Sequence, residues 1–202
     1  MKIEDISELF SGMTGVSNKW ADFGNCRFVD YMNVYKHTKT DVTNLPYATV
    51  KKFNQQTLKK GDILFTSASE TSDECAIASV IEDEIHDGIF LDDHLFGIRI
   101  KKDRTNDIRA GYLNHYFHSA EFRSSVNKTV RGVTRFYISK VDFVKLAVPL
   151  PPLPEQNRIA SILDRFDALC NDLTDGLPAE IAARKKQYAY YRDKLLTFQA
   201  GK

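Results

Sequence analysis

Residues 148–154 read Val148-Pro149-Leu150-Pro151-Pro152-Leu153-Pro154, and this stretch decides how the chain is divided. Four prolines in six positions exclude a helix and favour a stiff, extended connector. Short apolar runs precede it and long amphipathic patterns follow it. We therefore predict a globular domain over residues 1–148, a proline-rich connector over 149–154 and a helical arm over 155–202.

After the connector, Glu155 and Gln156 begin a predicted helix that carries one apolar stripe. The stripe consists of Ile159, Ile162, Leu163, Phe166, Leu169 and Leu173. These residues recur at intervals of three and four, which is the spacing of a heptad seam. The acidic side chain of Glu155 also suits the positive end of a helix dipole.

Gly176-Leu177-Pro178 interrupts the pattern, because glycine suits the end of a helix and proline suits a first turn. The stripe resumes with Ile181, Tyr188, Tyr191, Leu195 and Phe198. An unbroken rod over 155–198 would measure roughly 65 Å at about 1.5 Å per residue, too long to pack on its own domain alone. We favour a coiled-coil arm over an ordinary pair of helices that completes the core. Whether the interruption is a kink or a turn stays open.

Before the connector, short apolar runs alternate with turn residues, which is typical of strands. The strand predictions are Arg27–Tyr35, Gly61–Phe65, Ala76–Ile81, Gly88–Leu91 and Leu95–Ile100. An amphipathic helix is predicted from Gly111 to about Val126. The predicted fold class is α+β: one mixed globular domain followed by a long C-terminal helical coiled-coil arm.

The net charge of +1 conceals a segregation of charge along the chain. Residues 61–98 contain ten acidic residues and no Lys or Arg, whereas residues 99–140 contain ten Lys or Arg and three acidic residues. A local excess of positive charge is the usual electrostatic signature of a surface that binds nucleic acid.

Cysteine usage and hydropathy limit the class of protein. Cys26, Cys75 and Cys170 are far apart and form no C-x-x-C pattern, which argues against disulfides and zinc. No segment approaches the ~18 consecutive apolar residues of a membrane span, and the first residues lack a signal-peptide core. We predict a cytoplasmic protein without a membrane association.

Motifs of several enzyme classes are missing from the sequence. There is no glycine-rich nucleotide loop and no H-E-x-x-H. The Asp-Pro-Pro-Tyr and Asn-Pro-Pro-Tyr motifs of amino-methyltransferases and the Glu-x-Lys of common nucleases are also missing. His115 and His118, with His94 as a conceivable third metal ligand, are more simply half-buried or surface side chains, and Asp92-Asp93-His94 a solvated loop. We assign no catalytic residue, no metal and no cofactor.

The remaining polar segments favour DNA binding. Thr129–Ser139 contains two arginines, a glycine and several hydroxyls, and arginine can bind guanine O6 and N7 while hydroxyls bind phosphate or base edges. Thr66–Ser72 is a second turn rich in hydroxyl groups. The predicted DNA-binding residues are Arg131, Thr134, Arg135, Tyr137, Ser67, Ser69 and Thr71, with Lys19 and Trp20 as further candidates.

These residues resemble a known family, the specificity subunits of type I restriction–modification systems. The junction from Ile138-Ser139-Lys140 to Val148–Ala160 looks like that family's boundary between a target-recognition domain and a conserved helix. Gly176–Ile181 with Arg184–Tyr188 and Tyr190–Arg192 is similar to the helical repeat of one subgroup. Gly12–Gly15, Tyr31–Tyr35 and Gly61–Thr66 resemble recognition-domain landmarks.

The resemblance implies a division of labour. Such a subunit holds double-stranded DNA, modification subunits methylate adenine and a restriction subunit cleaves, so this chain would catalyse nothing. A full-length member has two recognition domains and two helical regions, and this sequence has one of each. We therefore expect a homodimer with antiparallel arms that reads a bipartite target. The predicted dimer or partner interface consists of Ile159, Ile162, Phe166, Leu169, Leu173, Ile181, Tyr188, Tyr191 and Leu195.

Two alternatives remain at this point. One is a helical scaffold or inhibitor that binds a methyltransferase through its arm without reading DNA. The other is a stand-alone enzyme, which the missing motifs disfavour. Duplex binding that weakens with salt distinguishes the first alternative from a DNA reader, and methyl transfer by the isolated chain would identify the second.

Overall fold

The protein is described by a computed structural model that covers residues 1–51, 55–86, 88–171 and 178–197. The helices are α1 (Ile3–Ile6), α2 (Tyr31–Lys36), α3 (Ala110–Phe117), α4 (Ala120–Asn127), α5 (Lys140–Phe143), α6 (Leu153–Asn171) and α7 (Pro178–Leu196). The strands are β1 (Ser7–Ser11), β2 (Val16–Ala21), β3 (Cys26–Val29), β4 (Tyr47–Val50), β5 (Ile63–Thr66), β6 (Ala68–Ser69), β7 (Ala78–Val80), β8 (Ile89–Leu91), β9 (Leu95–Ile100), β10 (Val130–Arg131) and β11 (Phe136–Ile138). The mixed α+β class is confirmed.

Three sheets form the globular part, which we call the head. The first is antiparallel in the order β1-β9-β5-β7, and every residue of β5 is buried. The second has the order β2-β4-β3-β8, and β3 and β8 are parallel. The third is a small antiparallel sheet in the order β10-β11-β6. The strand predictions at β5, β7, β8 and β9 are confirmed.

Two local predictions were wrong. Tyr31–Lys36 is a helix and not a strand, because the Asp30 carboxylate caps its first turn by accepting a hydrogen bond from the Asn33 amide at 2.8 Å. The single helix predicted from Gly111 is two helices. Ser119 separates them, since its hydroxyl accepts from the Phe122 amide at 3.3 Å and starts α4.

Aromatic rings fill the centre of the head. Phe65 of β5 contacts Phe96, Phe117 and Phe143 with ring centroids 5.0–5.2 Å apart. Edge and stacked contacts of this kind add to the free energy gained by burying the rings. Because these phenylalanines come from two strands and two helices, they join the first sheet to α3 and α5.

The helix that follows the connector starts earlier than predicted. α6 begins at Leu153, two residues before Glu155, because proline is tolerated in a first helical turn, where amides lack helical partners. The buried Gln156 side chain fixes this end of the helix to the head. Its carbonyl accepts from the Arg109 amide at 3.0 Å, and its amide donates to the carbonyls of Asp107 and Pro151, each at 2.8 Å.

The long coiled-coil arm predicted over 155–202 is not confirmed. α7 packs back along α6, since Phe166 stacks on Tyr191 while Leu196, near the end of α7, is buried in the same core as Ile159 near the start of α6. The two helices are therefore antiparallel, and we call them the helical pair. The physical reason is that the buried positions of both helices meet the head, so packing on the head removes more apolar surface from water than an extended arm would. Leu173, Gly176, Leu177 and Phe198 lie outside the described residues.

Two further features concern the hydropathy of the helices and the state of the cysteines. No helix in the described ranges combines the length and the apolar character needed to span a membrane. Cys26 and Cys75 are free, buried thiols, and burial raises the pKa of each. The side chain of Cys170 lies outside the described set.

Candidate nucleic-acid interface

An open concavity of about 750 Å³ lies where α2, β6 and the β10–β11 turn meet. It brings together three of the predicted DNA-binding residues, Ser69, Thr134 and Arg135. The other side chains that define it come from different parts of the chain. We call the following set the concave face: Tyr31, Tyr35, Ser69, Glu74, His94, Thr134 and Arg135.

α2 provides an aromatic wall. Tyr31 and Tyr35 are four residues apart, so they lie on one side of the helix, and their rings stack with centroids 5.9 Å apart. The Tyr31 hydroxyl donates to the Ala68 carbonyl at 3.1 Å, which ties α2 to β6. Burial raises the pKa of Tyr31, so the phenol stays protonated.

The β10–β11 hairpin provides the opposite wall. Gly132 has a φ of +119°, and a Cβ there would lie 2.0 Å from the Arg135 carbonyl oxygen, so only glycine fits this turn. The turn carries Thr134 and Arg135 as exposed residues. Neither side chain has a hydrogen bond or ion pair among the described residues, so both are available to a ligand.

A charged cluster lies beside the concave face. The Lys19 ammonium bonds Asp92 at 2.8 Å and Asp93 at 2.6 Å, and His94 Nδ1 lies 3.0 Å from Asp92 Oδ1. Burial alone would lower the pKa of Lys19, but the hydrogen bonds to both carboxylates outweigh it and raise that pKa. Asp92, Asp93 and His94 could geometrically hold a metal, but the Lys19 ammonium already supplies the positive charge.

Trp20 reaches the same region. Its φ of +58° follows an irregularity in the pairing of β2 with β4, and Asn18 also has a positive φ. The ring is 62% exposed, and its Nε1 donates to the capping Asp30 at 3.4 Å. Lys19 and Trp20 are therefore connected to the concave face through His94 and Asp30.

Four predicted residues are placed differently. The Arg131 guanidinium faces Asp142 at 3.4 Å and the Lys128 and Val130 carbonyls at 3.1 Å. The Ser67 hydroxyl oxygen is buried and has no partner among the described residues. Thr71 and Tyr137 are exposed but do not line the concavity.

Sequence reasoning missed several lining residues: Tyr31, Met32, Tyr35, Glu70 and Glu74. The Tyr31–Tyr35 spacing could have indicated a helical face once Asp30 was read as a cap. The lining contains two carboxylates and one guanidinium, so it is not the uniformly basic surface that the charge pattern of residues 99–140 predicted. It suits hydrogen-bond donors better than it suits phosphate groups.

The comparisons with known proteins address the whole chain. The sequence model of the family described as "Type I restriction modification DNA specificity domain" matches residues 1–183. The chain belongs to this family. A Haemophilus influenzae protein named "Putative type I restriction enzyme specificity subunit S.HindORF215P" is 37% identical over 140 residues, which cover 69% of this chain and 33% of that protein. The EcoR124I/EcoR124II specificity subunit of Escherichia coli is 50% identical over 89 residues, 43% of this chain and 22% of that one.

Solved structures of the family share the fold. The HsdS subunit from Thermoanaerobacter tengcongensis superposes with a TM-score of 0.58 at 16% identity, over 97% of this chain and 44% of that chain. The S subunit from M. genitalium gives 0.55 at 15% identity, over 87% of this chain and 40% of that chain. The chain therefore spans less than half the length of these specificity subunits.

The helical pair of this specificity domain divides the predicted interface residues into three groups. Ile159 is fully buried against the head, as is its neighbour Leu163, which belongs to the stripe but not to the predicted interface. Ile162, Phe166, Tyr188 and Leu195 are partly buried. Leu169, at 50%, and Tyr191, at 37%, are exposed, as is Tyr190 beside them. Ile181 lies in α7 with its side chain outside the described set.

A buried polar network locks the helical pair to the head. Asp164 of α6 accepts from His115 Nε2 at 3.0 Å and from the Arg109 guanidinium at 3.0 Å. His115 Nδ1 lies 3.2 Å from the Tyr188 hydroxyl of α7. Burial would raise the pKa of Asp164, but hydrogen bonding from His115 and the charges of His115 and Lys39 lower it. His115 and His118 thus have structural partners, since His118 Nε2 lies 2.9 Å from the Ala78 carbonyl oxygen.

Proposed function

We propose that this chain is the DNA-sequence-recognition subunit of a type I restriction–modification complex. It directs partner methyltransferase and restriction subunits to a bipartite target and catalyses neither reaction itself. The observation that carries the proposal is the family match over residues 1–183, together with a fold shared over 97% of the chain with a solved subunit of the type I system.

The concave face is the surface that we assign to duplex DNA. Arg135 and Thr134 lie on an exposed hairpin with unpaired donors, which is what base-edge recognition requires. Trp20 and Tyr137 are exposed near its margin and suit contacts to the DNA backbone, whereas the Lys19 ammonium is already paired with Asp92 and Asp93. Ser69 lines the face, whereas Ser67 and Thr71 support the turn around it.

The helical pair is the surface that we assign to protein partners. Its exposed apolar side chains, Leu169, Tyr190 and Tyr191, lie on the side away from the head core. Aromatic residues on a protein surface are typical of interface centres. Because solved relatives are more than twice as long as the match, two copies of this chain joined through their helices would present two heads to one duplex.

The deciding experiment reconstitutes sequence-specific modification. The chain is mixed with its modification subunits, S-adenosylmethionine and duplex DNA, and methylated adenines are mapped by sequencing. We expect methylation at one bipartite sequence that depends on the chain. Methyl transfer by the chain alone would contradict the non-catalytic role.

Duplex affinity as a function of salt separates DNA reading from the scaffold alternative. A reader that neutralises phosphates binds more weakly as salt rises, with a slope set by the number of contacts. Binding to modification subunits without any duplex affinity, alone or in the complex, would instead support a scaffold or inhibitor. Sedimentation of the purified chain tests the homodimer, and a monomer at all concentrations would count against it.

A further inference from the structure

Glu74 is a carboxylate that the concave face holds in a fixed position. Its Oε1 accepts from the Tyr35 hydroxyl at 2.7 Å and its Oε2 accepts from the Ser69 hydroxyl at 2.9 Å. Its backbone carbonyl accepts from the Thr66 hydroxyl at 3.0 Å. Hydroxyl donors from α2 and β6 therefore orient the side chain, and a third hydroxyl donor from β5 holds its backbone.

The turn that carries Glu74 is itself anchored from below. Residues Ser72–Glu74 form a short 3-10 helix. The Arg123 guanidinium of α4 donates to the carbonyls of Asp73, Cys75 and Ala76 at 2.6–2.7 Å. A site held by packed helices and hydrogen bonds on this scale suits recognition, because little freedom is lost when a ligand binds.

Glu74 has acceptor capacity that the protein does not use. An ionised carboxylate offers about four lone-pair sites. The Tyr35 and Ser69 hydroxyls use one on each oxygen, and Thr71 contributes a further hydrogen bond, which leaves acceptor capacity for one more donor. Among the described residues no Lys, Arg or His forms an ion pair with Glu74. Hydrogen bonding from Tyr35, Ser69 and Thr71 lowers the pKa of Glu74. The carboxyl group is therefore ionised at neutral pH and can accept hydrogen bonds but not donate them.

The chemistry of DNA limits what such an acceptor can bind. Phosphate oxygens repel a carboxylate. In the major groove, adenine N6 and cytosine N4 are hydrogen-bond donors, whereas guanine O6 and N7 and thymine O4 are acceptors that would face the carboxylate unfavourably. In the major groove, the remaining acceptor capacity of Glu74 therefore selects an exocyclic amino group.

We propose that Glu74 determines specificity by accepting a hydrogen bond from the exocyclic amino group of one adenine or cytosine in the bound duplex. This inference rests on the proposed function. Arg135, in the same concavity, carries the complementary donor chemistry and suits an adjacent guanine or phosphate. The concave face would then read a short run of bases with one acceptor and one donor.

The first experiment removes single amino groups from DNA and leaves the protein unchanged. Selection from a random duplex pool with the full chain, alone and with its modification subunits, defines the recognised sequence. Each adenine is then replaced by purine, and each cytosine by 2-pyrimidinone. We expect one replacement to weaken binding by roughly 5-fold to 100-fold, the range for one lost base contact, and the base at that position identifies adenine or cytosine as the source.

The second experiment couples that amino group to Glu74. In Glu74→Gln one acceptor oxygen becomes a donor, so discrimination against guanine and thymine at that position should fall below about 3-fold. In Glu74→Ala the same amino-group removal should cost nothing further. Glu121→Gln, an equal charge change on the exposed face of α4, serves as the control and should behave as the unaltered chain does.

Several results would overturn the inference. One is that no amino-group removal changes the affinity for the duplex. A second is that removing the amino group weakens binding of both Glu74 variants as much as it weakens binding of the unaltered chain. A third is that the variants bind all sequences more weakly by the same factor, which would make Glu74 a structural support for Tyr35 and Ser69. Tight binding of either Glu74 variant with unaltered preference would do the same. If Glu74→Ala does not fold, the analogue series with the unaltered chain and with Glu74→Gln still decides. A chain with no sequence preference at all would overturn the proposed function instead.

Discussion

Two regions of the molecule are built from similar polar residues: the junction between the head and the helical pair, and the concave face. At the junction the polar side chains are paired within the protein, whereas on the concave face an arginine is left unpaired. At the junction the Gln156 amide makes three hydrogen bonds to backbone groups, and Asp164 accepts from both His115 and Arg109. On the concave face, the Arg135 guanidinium has no hydrogen bond or ion pair among the described residues.

The difference separates groups that hold the fold from groups that can bind a ligand. A buried polar group must be paired inside the protein, because leaving it unpaired costs about 1–3 kcal/mol. An exposed donor held on a fixed turn keeps its capacity for a partner. The comparison therefore predicts stability defects from changes at the junction and binding defects from changes on the concave face.

The largest effect is expected from Leu163→Ala at the junction. Leu163 is fully buried in the core shared by α6 and the head. A buried leucine replaced by alanine loses transfer free energy and leaves a cavity, so the free energy of unfolding should fall by about 2–5 kcal/mol. Denaturant unfolding measures it. Leu169→Ala, on the same helix but 50% exposed, is the control; equal losses for the two variants would show that α6 does not pack on the head.

The pH dependence of stability is the next largest effect. Burial lowers the pKa of His118 to about 4, while its ring contacts the Ala78 carbonyl. The unfolded chain takes up this proton near pH ~6.5, so stability is complete above that pH and falls as the pH drops toward about 4. His118 is partly exposed in the structure, and screening by solvent therefore makes about 3 kcal/mol an upper limit for this loss.

The measurement for His118 is denaturant unfolding at roughly pH 7.5 and roughly pH 5, on either side of the pKa that histidine has in the unfolded chain. His118→Gln should flatten the pH dependence between them. His86→Gln, which alters an exposed loop residue, should leave the slope unchanged. If His118→Gln keeps the full slope, other groups titrate and His118 does not control acid stability.

Periodicity in the sequence was informative where local pattern and burial agree. The strands β5, β7, β8 and β9 follow from apolar runs bounded by turn residues, and α6 follows from its stripe. The two wrong predictions were both made at the N-cap of a helix. Asp30 and Ser119 start helices by hydrogen bonds to amides three residues on, and a single polar residue in an apolar pattern is a weak signal.

The helical pair and the concave face depend on contacts between distant residues. A narrow apolar stripe has the same spacing whether it faces another chain or its own head, so Ile159 and Leu163 could not be told from Leu169 by pattern alone. Ser69, Thr134 and Arg135 were found by residue type. Glu74 and Tyr35 were missed, because the 2.7 Å bond between them joins α2 to a turn 39 residues away.

Arg135→Ala tests the concave face directly. One arginine contact to a base edge is worth about 1–3 kcal/mol, so affinity for the recognised duplex should fall roughly 5-fold to 100-fold while the free energy of unfolding stays the same. Fluorescence anisotropy with labelled duplex measures the affinity, and chemical unfolding checks the fold. Lys102→Ala, an exposed cation outside the concavity, is the control. Equal effects from both would indicate general charge attraction and no specific contact.

Arg131→Ala should give the smallest effect, and it sharpens the comparison within one hairpin. Arg131 and Arg135 are both exposed, but the Arg131 guanidinium already faces Asp142 at 3.4 Å and two carbonyls at 3.1 Å. Because a ligand would have to replace these partners, the loss of duplex affinity should stay below about 1 kcal/mol, the scale of an exposed ion pair. Anisotropy with the same duplex compares the two variants. A larger loss for Arg131→Ala than for Arg135→Ala would mean that DNA lies along the β10 side of the hairpin and that the paired state of a side chain does not predict its availability.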